Sequence, residues 1–309
     1  PFIEVFSAGN SGPSPGTLTA PKEAKNLIVT ASTRNYRAGN IDTLSSFSSR
    51  GPAHDGRWVP TVAAPGETIA SARNDDGGSC STSISGTNNL YAYCSGTSMA
   101  APHTSGVIVL ATQWWRQFNG GADPSPAMAK ALLVNSADDM ATPDIPNIHE
   151  GWGRIDASAA TDFSHHFVEN KAGLSAAQTA IRHFYAAAGR PLKVTLVWTD
   201  FPSTETAALN LVNDLDLTVI GPGGWPVYQG NVFADGWSKV GGTADRLNNV
   251  ENVYVRAPKA GKWTVRVRGA NVPKGPQPFA LVVDFEEAAP PLGPESIFLP
   301  AIMNRGPGR

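Results

Sequence analysis

Two architectures in series are predicted. Residues 1–164 read as an α/β part with a parallel sheet, residues 165–286 as an antiparallel β-sandwich or jelly roll, and residues 287–309 as a Pro/Gly-rich tail or linker. Three observations lead there. The chain opens on an apolar run, Phe2-Ile3-Glu4-Val5-Phe6, that breaks into a glycine-containing turn, as strands of open α/β sheets do at the end where sites form. Residues 98–114 carry apolar side chains at helical spacing. Near residue 165 the pattern changes to short alternating runs separated by Gly/Pro turns.

The first strand, residues 2–8, ends in Ser7-Ala8-Gly9-Asn10-Ser11-Gly12, where the Asn10 amide can donate two hydrogen bonds. Leu27-Ile28-Val29-Thr30 reads as a second strand. Residues 44–52 and 62–71 read as framework, a loop and then a short strand, with solvated turn serines. Residues 73–89 are polar and rich in Gly, Ser and Asn, an insertion loop. Cys80 and Cys94 either close that loop as a disulfide, which implies an oxidising compartment, or are two free buried thiols.

Ser95-Gly96-Thr97-Ser98-Met99-Ala100-Ala101-Pro102-His103 precedes a helix whose apolar face is Val107, Ile108, Leu110, Ala111 and Trp114. Pro102 falls in the expected first turn, where a missing N–H costs little. Ser98 thus lies at a helix N-terminus, where partial positive charge favours an oxyanion; the plainer alternative is that Thr97 and Ser98 only cap the helix. Gly120-Gly121 stops it, and Ser125-Pro126 starts another with Met128, Leu132 and Leu133 apolar. Strands follow at 192–198, 215–220, 253–256, 263–267 and 279–285.

The string 95–103 resembles the nucleophile segment of the subtilisin-like serine proteases, the subtilases. Ser7 to Asn10 is similar to the family turn whose Asn completes the oxyanion hole, and Gly151-Trp152-Gly153-Arg154-Ile155-Asp156 to the segment that closes the catalytic domain. The segments 196–200, 211–217 and 248–253 resemble the C-terminal β-barrel of alkaline, oxidant-resistant bacterial subtilases. The resemblance implies that residues 1–164 are the C-terminal part of a subtilisin-like domain acting on protein or peptide substrates. Ser98 would be the nucleophile and Asn10 the oxyanion donor. Ser7, Ala8, Gly9 and Thr19 would line the pocket for the residue before the scissile bond. Ala20-Pro21 would be a cis peptide beside it. No charged side chain is expected in that wall, so an apolar or broad preference follows. Related barrels bind calcium, and Asp214, Asp216, Asn249 and Glu251 (with Asn213 as a further oxygen donor) are the expected ligands.

A serine hydroxyl needs a base, itself oriented by an acid. The family's Asp and His motifs precede its Asn and Ser, so they are expected to lie in a missing N-terminal part, and the chain alone is expected to be inactive. His103 lies five residues along the helix from Ser98 and faces away; His54, His165, His166 and His183 fall in loops or near the domain junction. Two rivals remain. An α/β-hydrolase esterase would use Ser98 with Asp144 and His149 or His165. A non-catalytic binding scaffold would show exposed aromatics such as Trp225, Tyr228 and Trp237 across one sheet face. The charges, 24 basic and 26 acidic, give −2, and no basic face recommends nucleic acid. No apolar run reaches the ~18 residues of a membrane span. No organic cofactor is expected. The family implies secretion, and oligomeric state is not readable.

Overall fold

A computed structural model describes residues 2–74, 80, 82–141, 144–162 and 165–288. The tail beginning at 287 lies, from 289 on, outside the described residues, as does its apolar patch at 297–299.

The first part is built on a three-stranded parallel sheet, β1 (Val5–Ser7), β2 (Ile28–Thr33) and β3 (Val62–Pro65), in that order. β4 (Ile69–Ala72), β5 (Thr82–Ser83) and β6 (Tyr91–Cys94) make a small antiparallel sheet with β6 in the middle, and Cys80 is bonded to Cys94. Helix α1 (Thr97–Phe118) packs on β1, β2 and β3. It buries Ala100, Thr104, Val107, Ile108, Ala111, Trp114 and Trp115. Two expectations for this helix fail. Leu110 is 49% exposed and Val109 65%, so the buried stripe is narrower than the apolar pattern. Pro102 is the sixth helical residue, past the first turn, so the Ser98 carbonyl lacks the usual donor from residue 102.

Helix α2 (Pro126–Asn135) starts as expected, with Ser125 Oγ accepting from Met128 N at 3.1 Å. It is buried from Ala127 to Asn135 because it is covered on two sides, by the parallel-sheet part and by a sheet of the second part. A short helix, α3 (Ala157–Ala160), is capped by Asp156 Oδ1.

The second part has nine strands: β7 (His165–Leu174), β8 (Thr179–Ala186), β9 (Leu192–Val197), β10 (Asp214–Ile220), β11 (Val227–Ala234), β12 (Trp237–Val240), β13 (Val250–Val255), β14 (Gly261–Asn271) and β15 (Gln277–Asp284). They form two antiparallel sheets, ordered β12-β11-β10-β14-β8 and β13-β9-β15-β7. One core joins their facing sides through Leu192, Val194, Leu196, Leu215, Leu217, Val219, Trp263, Val265 and Leu281. The opposite face of the four-stranded sheet packs Val197, Val250, Tyr254, Ala280 and Val282 against Trp114, Trp115, Met128 and Leu132. Strands β7, β8, β11 and β12 were not expected: their residues are mostly half-buried or exposed, which blurs the alternation.

The serines of 44–52 are not solvated. Ser45, Ser48 and Ser49 are buried, with Ser45 Oγ 2.9 Å from Ser32 Oγ, Ser48 Oγ accepting from Ser32 N at 3.0 Å, and Ser49 Oγ accepting from Ser11 N at 3.1 Å. They satisfy backbone that no strand pairs. The aromatic line fails too: Tyr228 is buried and stacked on Trp263, Trp237 packs at the junction, and of the three only Trp225 is largely exposed.

The two parts meet through a buried polar junction. Lys25 Nζ donates to Asp200 Oδ2 at 2.6 Å, to Phe201 O at 2.6 Å and to Asn210 O. Asn26 and the Asp200 backbone exchange bonds of 2.9 and 3.0 Å.

Candidate active site

Ser98 is the second residue of α1 and is exposed, so its N–H is one of the first-turn donors without an intrahelical acceptor. No side chain of the helix caps its start. Asn10 does so from the turn after β1: its Oδ1 accepts from Thr97 N and from Thr97 Oγ1, both at 3.0 Å. Thr97 Oγ1 in turn accepts from Gly9 N at 3.0 Å. With Oδ1 doubly occupied, Asn10 Nδ2 lies on the other side of the amide, beside Gly96, where a Cβ would stand only 3.3 Å from it. Glycine at 96 is what lets that amide approach the helix start.

Ser98 borders two surface recesses. One runs between β4, β6 and α1, lined by Ile69, Ala92, Met99, His103, Val107 and Leu110. The other is shallow and includes Phe6, Ser7, Ala101 and Ser105. None of the six histidines hydrogen-bonds Ser98 Oγ. His103 Nδ1 is 2.9 Å from Met99 O. His165 contacts Ala159 O and meets the Trp114 ring at 6.3 Å, some 24 Å along α1 from Ser98 at about 1.5 Å per residue. His149 belongs to the turn organised by Asn147, and Asp144 is held by the same asparagine. His166 stacks on Phe285, His183 pairs with Thr264, and His54 lies exposed with its N–H on Glu23. The esterase constellation of Asp144 with His149 or His165 is therefore not assembled on Ser98.

Of the residues expected to line the substrate wall, Ser7 borders the shallow recess with Ser98. Ala8 is buried, its N–H on Thr30 O at 2.9 Å, and the Ala20–Pro21 peptide is cis. Lys22 Nζ donates to Thr19 Oγ1 at 3.2 Å and lies 3.1 Å from where a Gly9 Cβ would be.

The expected metal ligands divide. Asp214, Asp216 and Glu251 are buried and each brings one carboxylate oxygen within 4.8 Å of the others. Arg246 pairs with Asp214 Oδ2 at 3.0 Å and with Asp216, and Glu251 Oε2 accepts from Leu217 N at 2.6 Å. Asp214 Oδ1 and Glu251 Oε1 are buried without a partner. Burial, aided by neighbouring carboxylates, pushes Asp214 up to about 6 and Glu251 well above the usual range. Two unpartnered buried oxygens in one cluster suit a hard divalent cation. The Asn249 amide donates to Trp198 O at 2.9 Å and Asn26 Oδ1 at 3.0 Å. The Asn213 amide is likewise spent, on Gln277 and Lys274. Sequence reasoning missed a second cluster, Asp139, Asp144 and Glu150, with Glu150 raised to about 7 mainly by burial.

The site thus presents an exposed Ser98 at a helix N-terminus and an Asn10 amide bound to the Thr97 that precedes it. Comparison with known proteins bears on which class this is. Residues 2–153 match the model of the Subtilase family. The Serine protease/ABC transporter B family protein tagB of Dictyostelium discoideum is 28% identical over 330 aligned positions, covering 86% of this chain and 17% of that protein. Serine protease AprX of Bacillus subtilis (strain 168) is 34% identical over 159 positions, 50% of this chain and 34% of that protein. A crystal structure of a lanthipeptide protease superposes with TM-score 0.41 at 19% identity, over 52% of this chain and 50% of that one. Through residues 2–153 the chain belongs to the subtilase family. It spans about one-sixth of the length of the Dictyostelium relatives.

Proposed function

We propose that the chain carries the nucleophile and oxyanion side of a serine endopeptidase. Ser98 Oγ adds to a peptide carbonyl, its proton passing to a base. The carbonyl oxygen becomes an oxyanion received by Asn10 Nδ2 and the Ser98 N–H. Collapse breaks the C–N bond, the leaving amine takes the proton, and water then releases the acyl group by the same steps. The observation that carries this reading is the Asn10 amide, held by Thr97 with its Nδ2 against Gly96. Among the described residues no histidine hydrogen-bonds Ser98 Oγ, so in this reading the base is supplied from elsewhere in a longer enzyme. The 309-residue chain by itself is therefore expected to leave peptides intact. Peptide turnover by the purified chain, lost in Ser98→Ala, overturns that. In a longer enzyme that includes the base, Asn10→Ala should lower kcat about 10²–10³-fold, the loss known for an oxyanion asparagine in a subtilisin.

The domain limits 1–164 and 165–286, and a jelly-roll identity for the second part, belong to the same reading. The Cys80–Cys94 disulfide supports an oxidising, extracellular setting. A structural calcium ion would be held by Asp214, Asp216 and Glu251, giving the unpartnered Asp214 Oδ1 and Glu251 Oε1 a cation. Chelator-treated protein should then melt several degrees lower than protein in millimolar calcium; identical melts would remove the ion from the proposal.

A further inference from the structure

We propose that the small cavity between the two parts, lined by Arg57 and Lys130, is a binding site for a monatomic anion, with chloride the physiological one.

The cavity measures about 20 Å³, room for one water or an ion of similar size and too little for a sulfate or phosphate group. Its wall includes Lys25, Arg57, Thr61, Lys130 and Trp152 of the first part and Asn249 of the second. Lys25 comes from the loop before β2, Arg57 from the loop before β3, and Lys130 from the middle of α2. Three cations from three elements thus border one water-sized space.

Carboxylates match two of the three. Lys25 Nζ pairs with Asp200 at 2.6 Å and Arg57 Nε with Asp55 at 2.8 Å. Among the described residues no carboxylate pairs with Lys130. Its Nζ donates to two backbone carbonyls instead, Leu27 O at 2.9 Å and Lys25 O at 3.1 Å. Leu27 and Lys25 are themselves wall residues, which sets the ammonium at the wall. The cavity lining therefore carries one buried positive charge in excess. A buried charge without a counter-charge is costly, and burial together with Arg57 pulls Lys130 down to about 7.

Unused donors lie on the same residues. Lys25 uses all three of its own, on Asp200 Oδ2, Phe201 O and Asn210 O. Lys130 has used two of three. Arg57 Nη2 donates to Glu23 O at 2.6 Å and Nε to Asp55, which leaves Nη1 without an acceptor among the described residues. Thr61 Oγ1 accepts from Val29 N at 3.1 Å, so its own proton remains to be given. Two cations and a hydroxyl at one small cavity call for an acceptor. Water would accept the protons and leave the charge unmatched. A halide accepts the protons, and its single charge equals the excess.

The test melts the 309-residue chain in sodium gluconate, with chloride or bromide replacing gluconate stepwise at constant ionic strength. Chloride should raise the melting temperature by a few degrees and saturate, as a ligand bound only by the folded chain does. The gain should disappear in Lys130→Met, which removes the buried charge, and remain in Lys171→Met, which removes an exposed one. Crystals grown in bromide should show its anomalous signal at Lys130 Nζ and Arg57 Nη1. Equal melts in chloride and gluconate, a chloride gain that survives Lys130→Met, or a bromide map with no peak in this cavity overturns the proposal. If Lys130→Met does not fold, the melts of the unaltered chain and the bromide map decide it.

Discussion

The parallel-sheet part and the antiparallel part solve the problem of an interior in different ways. The first is laced with small residues and hydroxyls: Ala31, Ala63, Ala64 and Ala100 are fully buried, and Thr30 Oγ1 bonds Thr104 Oγ1 at 3.0 Å between β2 and α1. The second is filled with large apolar side chains, Trp198, Trp263, Leu192, Leu196, Leu215 and Leu217 among them. Small residues let backbones approach closely, which is how the turn after β1 can reach the start of α1 and set Asn10 against Gly96. Large ones remove more apolar area from water and stabilise more per residue. The difference teaches that the site sits in the part built for close approach, while the larger apolar core lies beside it and is joined to it through α2 and Lys25.

That comparison can be broken at three places. Trp263→Ala, which empties a fully buried position in the antiparallel core, should cost about 3–5 kcal/mol by denaturant unfolding; a loss below about 1 kcal/mol would mean the second part is not the stabilising one. Asp200→Ala strands the buried Lys25 ammonium at the junction and should cost a comparable amount, about 3–5 kcal/mol. Hydrogen exchange should then rise around residues 18–30 as well as 200–213, and a response confined to 200–213 would show that the junction does not hold the site-bearing loop. The smallest effect is a pH slope. Lys130, wholly buried in α2 and donating to Lys25 O and Leu27 O, is pulled down to about 7 by burial, with Arg57 adding repulsion. Between about 7 and its ordinary 10.5 the unfolded chain holds a proton the folded chain lacks, so stability climbs as pH rises through that window. The slope approaches 1.4 kcal/mol per pH unit at most, roughly one pKa unit of linkage. Lys130→Met should flatten it, and parallel wild-type and variant curves would refute the linkage.

How much of this was legible beforehand follows the range of the interaction. The Ser125 cap, the glycine stop after α1 and the two first strands depend on neighbours in sequence and were readable from their residues, while the structure chose the bonded form from the two readings of Cys80 and Cys94. Strands β7, β8, β11 and β12 were not, because half-exposed strands need no strict alternation. Leu110 misled because an apolar residue on a helix does not say which way its stripe faces. The bond of the Asn249 amide to Asn26, 223 residues away, was unreadable for a similar reason: a short polar motif does not name a distant partner.

The sequence alone pointed to the family, through nine contiguous residues around Ser98, since a motif of that length records local geometry directly. Tertiary structure alone decided the rest. It buried Ser45, Ser48 and Ser49, joined Lys25 to Asp200 across 175 positions, set Arg246 among Asp214 and Asp216, and folded Lys22 back over Gly9. A charge has no sequence periodicity that names its partner. Only the closing of the chain fixes which carboxylates meet a cation.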